Sequence, residues 1–221
     1  MPRETFEQRL KQLQDEVLVL GSMVEKAIAR SIEALKNRDL EAARQIIHDD
    51  QEINQKRYEI EATCTQLLAT QQPMARDLRT IISVLYIITD LERIADHAEG
   101  IAKITIMIGD EPPLKPLIDI PRMANKTIEM IQRGLKAFIE RDVEAARKVC
   151  QEDDEVDALY DQVYRELLFF MIQDPRTISR ATHLLWVGHN LERMADRATN
   201  ICERVGYMVN GTIQEMYASK Y

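Results

Sequence analysis

The chain has 221 residues, long enough for one large domain or two small ones. It is 45% apolar, 30% charged and only 5% aromatic, with seven glycines and seven prolines, which favours helices built from Leu, Ile, Ala and Met over a β-sandwich. The net charge of −8 argues against nucleic acid as the main partner, because phosphate binding needs a basic face; it suits cations or a basic protein surface.

The first residues, MPRETFEQRL, contain no apolar signal core. A first helix is expected from about Thr5 to Asn37, with Thr5 and Gln8 spaced as a capping box. Asp39 is placed to cap a second helix, with acids near the positive end of its dipole. Along that helix Ile46, Asp50, Ile53, Arg57, Ile60, Cys64 and Leu67 recur at alternating steps of four and three, the signature of a packing seam. Asp50 occupies a seam position and Asn54 lies one turn on. Pro73 sits at the start of an expected third helix, where a missing backbone donor costs little. Its apolar run IISVLYII is too short to span a bilayer, so contact with a membrane is expected only through partners. Further along, Leu91, Ile94, Ala95, Ala98 and Ile101 form an apolar stripe, with Glu92 and Asp96 on its flank.

Four prolines, Pro112, Pro113, Pro116 and Pro121, then interrupt the chain near its midpoint. The second half of the chain repeats the first. RDLEAARQI from Arg38 returns as RDVEAARKV from Arg141, and LERIADHAEGI from Leu91 returns as LERMADRATNI from Leu191. Two matches in the same order at nearly equal offsets indicate internal duplication. The expected architecture is therefore all-α, a tandem pair of antiparallel three-helix bundles with six helices. The first bundle spans residues 1–109, a Pro-rich linker residues 110–118, and the second bundle residues 119–221. In the second copy Asp142 repeats the cap, and Pro175 sits at the start of the last helix. Val149, Asp153, Val156, Tyr160, Val163 and Leu167 repeat the seam, with Asp157 one turn beyond Asp153.

Each bundle thus brings a seam acid from its second helix towards an acidic pair from its third: Asp50, with Asn54 one turn on, towards Glu92 and Asp96, then Asp153 and Asp157 towards Glu192 and Asp196. A carboxylate in a seam is costly unless its pKa rises, an arginine answers it or a cation binds. Oxygen-only ligands favour hard cations such as Mg²⁺, Ca²⁺, Mn²⁺ or ferric iron. A lone ExxxD is usually a solvated face, and it is the duplication that gives these acids meaning. Arg93 and Arg193 point away on an ideal helix, though their side chains are long. His97 and His189 have no histidine counterparts and read as structural or surface residues. Cys64, Cys150 and Cys202 are widely spaced and odd in number, which suits buried thiols in a reducing compartment. There is no P-loop, Rossmann glycine pattern, GxSxG or HExxH. A hydrolase or oxidase using metal-activated water at these carboxylates, and a purely structural bundle with protonated or Arg-paired acids, stand as alternatives.

DLERIADHAEGIA and NLERMADRATNIC resemble the paired E(D)xxxD motifs of the PhoU family, and the resemblance covers essentially the whole chain. It implies a cytoplasmic, non-enzymatic and often dimeric adaptor. Such a protein represses the phosphate-starvation response when phosphate is plentiful. It links the phosphate ABC transporter, through its ATPase subunit, to the sensor histidine kinase. The resemblance further implies iron or zinc at Glu92, Asp96, Glu192 and Asp196. Asp50, Asp153 and Asp157 become the second-helix partners, with Asn54 standing where the second half has Asp157.

Overall fold

The computed structural model describes residues 3–212 together with residue 216, and among them every regular element is helical. Helices α1 (Arg3–Asn37), α2 (Leu40–Gln71) and α3 (Ala75–Ile108) form the first bundle. Helices α4 (Asp119–Glu140), α5 (Val143–Gln151), α6 (Asp153–Gln173) and α7 (Ile178–Asn210) form the second, with a 3₁₀ turn at Pro175–Thr177. Each bundle packs its own three rods together, α5 and α6 sharing one rod, and α3 and α7 then join the bundles along the most extensive contact in the molecule.

Local chemistry sets the helix ends. Asp39 accepts the N–H of Ala42 at 2.9 Å and Asp142 that of Ala145 at 2.9 Å, so both duplicated caps form. Arg38 and Arg141, at matching positions, turn the chain with φ of 57° and 58°. The expected capping box does not form: α1 is already helical at Arg3, which leaves Thr5 within the helix, and Glu4 supplies the acid of the first turn. Cys64, Cys150 and Cys202 are buried and free. Burial pushes the Cys64 thiol up to about 12, as expected of a packed thiol without catalytic use.

The expected second helix of the second half is two helices. At Glu152 the N–H bonds to Val149 O at 3.0 Å, and the N–H of Glu155 bonds back to Glu152 O at 3.1 Å, both tighter than α spacing. Two forces favour the break. Arg133 and Lys126 of α4 pull the Glu152 carboxylate inward, Lys126 at 3.1 Å. The run Asp153, Asp154, Glu155 is better placed at a helix start than in a helix interior. The seam survives the break: Val149, Val156, Val163 and Leu167 are fully buried, and Asp153 is 7% exposed.

The α3–α7 contact is antiparallel and close to two-fold symmetric. Arg79 Nε donates to Met208 O, Ser83 Oγ to Arg204 O, and Arg197 Nη1 to Asp90 Oδ1, each at 3.3 Å; His97 Nδ1 lies 2.9 Å from Asn190 Oδ1. As the number on α3 rises, the number on α7 falls in step. Asp90 with Arg197 and Asn190 with His97 are the same pair of positions seen from the two repeats. Leu91, Ile94, Leu191 and Met194 are fully buried along this axis. Leu191→Ala should therefore cost about 3 kcal/mol in urea denaturation, through lost burial and the cavity it leaves.

Candidate metal centre

The helices place the acids as the seams require. In the first bundle α2 presents Asp50 and Asn54 to α3. Asn54 Nδ2 donates to Asp50 Oδ2 at 2.8 Å. Burial pushes the Asp50 carboxyl up to about 6, reinforced by Glu99, Asp96 and Glu92 across the helix pair. Glu92 is also raised, by burial and then by Asp96, with Arg93 and Arg57 opposing. The stem of Arg93 does bend back: its Nη1 reaches Asp96 Oδ2 at 3.1 Å and its Nε stands 3.5 Å from Glu92.

The second bundle is more acidic. Asp153 opens α6, and burial pushes its carboxyl up to about 7, reinforced by Asp157, Asp196, Glu192 and Asp154. This happens at the positive end of a helix, so desolvation and like charge outweigh the helix dipole. Burial also raises Glu192, with Asp196 adding to it. Arg193 Nη1 meets Asp196 Oδ2 at 2.6 Å. His189 Nδ1 lies 3.1 Å from Glu192 Oε2, but the geometry is that of an ion-pair contact and leaves this oxygen without a hydrogen bond.

Glu92, Asp96 and Asp50, like Glu192, Asp196, Asp153 and Asp157, are thus electrostatic neighbours in their bundles. Two participants lie outside the predicted set. Glu99 is the largest charge acting on Asp50 and is tied to Lys103 at 2.5 Å. It follows Asp96 by three residues on the same flank, a spacing visible in the sequence. His189 precedes Glu192 by three, but no counterpart histidine in the first half marks it. His97 turns to the other repeat, where Asn190 holds it.

The resident cations differ between the halves. Arg57 of α2 acts on Glu92, and Tyr160 occupies its place in the second half. The Asp153 Oδ1 atom is buried with no hydrogen-bond partner. Among the described residues no group of three or more His, Cys, Asp or Glu side chains stands close enough together to hold a metal ion as the side chains lie. The donor types are nevertheless those a hard cation takes: carboxylate oxygens from two helices, with Asp153 Oδ1 and Glu192 Oε2 both lacking a hydrogen bond. Asp153, Asp157, Glu192 and Asp196 would hold it in the second bundle, and Asp50, Asn54, Glu92 and Asp96 in the first. Bound there, it would neutralise the cluster and pin two helices together.

No described helix is long and apolar enough to cross a membrane. The PhoU domain family model matches residues 17–105 and 120–205, one match in each bundle. The chain is 41% identical over 212 residues to a phosphate-specific transport system accessory protein PhoU homolog of Clostridium acetobutylicum, covering 96% of this chain and 97% of that one. It is 32% identical over 206 residues to the PhoU accessory protein of Escherichia coli, covering 93% and 86%. The crystal structure of PhoU from Pseudomonas aeruginosa superposes with a TM-score of 0.88 at 36% identity, over 94% of this chain and all of that one. Two matched domains in tandem, relatives aligned from end to end and a shared fold place this chain in the PhoU family.

Proposed function

We propose that this chain is a non-enzymatic accessory regulator of phosphate-specific transport that carries a metal site in each bundle. In this reading it works in the cytoplasm, as a homodimer. It couples the ATPase subunit of the phosphate ABC transporter to the phosphate sensor kinase and represses the starvation response when phosphate is plentiful. The end-to-end relationship to PhoU accessory proteins carries the regulatory part. Deleting the gene tests it: a phosphate-starvation promoter should fire in high phosphate, and a promoter that stays silent removes the reading.

The metal part rests on the unpaired Asp153 oxygen inside a duplicated acidic cluster. Iron and zinc follow from the family resemblance, and Mg²⁺, Mn²⁺ or Ca²⁺ from the oxygen donors. Chelated protein reconstituted with each ion and analysed for bound metal should retain at least one of them. Glu192→Gln with Asp196→Asn should then remove the second bundle's share and leave the first. The thermal midpoint should rise with free metal in the parent and by less in the variant, as linkage requires. Retention of no ion by the parent would sink the metal part while leaving the promoter result untouched.

A further inference from the structure

Where α1 ends and the linker crosses the α3–α7 axis, the chain leaves a cavity of about 330 Å³. Its walls are apolar: Leu35 of α1, Ile108 of α3, Leu114 and Leu117 of the linker, and Leu184 of α7. Its rim is cationic, with Lys36, Arg38, Lys115 and Arg180 against one acid, Glu111. In a chain of net charge −8 this local excess of positive charge reverses the general trend.

The duplication shows what is unusual about the place. At the opposite end of the near-two-fold axis Arg141, the counterpart of Arg38, donates Nη2 to Thr80 Oγ1 at 2.6 Å. The counterpart of Thr80 on α7 is Arg180. Arg38 therefore shares its cavity with Arg180, whereas Arg141, which has Arg76 and Arg79 as charged neighbours, is held by a hydroxyl. The two are weakly satisfied. Arg38 Nη1 donates to Asp110 O at 3.4 Å and Arg180 Nη1 to Pro112 O at 3.3 Å. Among the described residues the acid within ion-pair reach of either guanidinium is Glu111, 3.8 Å from Arg180 Nε. Lys115, itself 8% exposed, is engaged by Glu166. Each guanidinium carries five N–H donors, so the forks of Arg38 and Arg180 have capacity left for an oxyanion.

We propose that this cavity binds an amphipathic organic anion, its apolar body against Leu35, Leu114 and Leu184 and its oxyanion head between Arg38 and Arg180. The volume lies at the small end of the range for ligand sites, which begins at roughly 300 Å³, and suits one short acyl chain. A carboxylate and a phosphate monoester share the chemistry of the head. The purified full chain is titrated calorimetrically, below micelle formation, with decanoate, decyl phosphate, decanol and decyltrimethylammonium. One or both anions should bind saturably, about tenfold or more tighter than the alcohol or the cation. Whichever anion binds tighter assigns the head. Arg38→Gln with Arg180→Gln should weaken the anion about tenfold or more, since charge-assisted bonds are lost. Leu114→Trp, which fills the cavity from the linker, should abolish saturation, with circular dichroism confirming an intact helix content in each variant. The proposal is overturned if no probe saturates, if the alcohol or the cation binds as well as the anions, or if the double arginine variant binds like the parent.

Discussion

Asp153→Asn should stabilise the metal-free protein at pH 7.5 by about 2 kcal/mol, roughly half of what the full displacement of its pKa would give once partial solvation is allowed for. The sign comes from the direction of the displacement. The carboxyl titrates at about 7 in the folded chain, from an ordinary value of 3.8, and Asp50 moves the same way to about 6. The unfolded chain gives up these protons at lower pH than the folded one. Stability from both groups is therefore complete below about pH 4 and drains away as pH rises towards 7. Urea midpoints of chelated protein should fall between about pH 5 and 7.5, and Asp153→Asn should flatten most of that slope. Asparagine keeps the shape of the side chain and never ionises. Metal reverses the ranking: a cation displaces the proton and rewards the carboxylate, so the parent should overtake Asp153→Asn once metal is supplied. If Asp153→Asn destabilises the chelated protein at about pH 7.5, the seam acid is answered by a resident partner and the cluster is structural.

Much of this arrangement was legible in the sequence because duplication doubles every signal. RDLEAAR and RDVEAAR mark the repeat before any helix is located, and both aspartates within them do cap helices. The alternating seam placed Asp50 and Asp153 opposite the third helices, where they lie. Other features depend on contacts that one-dimensional spacing does not carry. The break at Glu152 arises because Lys126 and Arg133, on another helix, draw its carboxylate aside; an acidic run by itself reads equally well as continuous helix. Arg93 and Arg193 leave an ideal helix on the wrong side, yet their stems are long enough to reach Asp96 and Asp196. Glu99 was legible from its three-residue spacing but had no acidic counterpart, since Thr199 stands in the second copy. Symmetry between the repeats hides the residues that break it. The same applies to Arg180, which stands where the first copy has Thr80 and puts a second guanidinium beside Arg38.

Arg197→Leu should cost about 2–3 kcal/mol, somewhat below the cost of breaking a fully buried pair because the arginine is partly solvated. Its partner Asp90 is 8% exposed on the opposite repeat, and the side chains meet at 3.3 Å. Burial pushes the Asp90 carboxyl above its ordinary range even though Asn200 and Arg197 pull it down, so desolvation already outweighs pairing. Removing the arginine leaves a buried carboxylate with Asn200 as a donor at 3.4 Å. Asp90→Asn in that background should recover most of the loss. The junction then carries two neutral pairs, because the symmetry-related positions already hold His97 and Asn190. Asp90→Asn by itself should cost less than Arg197→Leu: the guanidinium, about a third exposed, can turn to water, and a carboxylate facing the α3–α7 seam cannot. Urea denaturation of the parent, both single variants and the double closes the cycle, with a coupling of about 2–3 kcal/mol expected for groups in contact. Strict additivity would mean that packing along Leu91, Ile94, Leu191 and Met194 alone sets the register of the two repeats. A coupling of the expected size means that the Asp90–Arg197 pair, standing where symmetry puts the neutral Asn190 and His97, distinguishes α3 from α7, and with it the first bundle from the second.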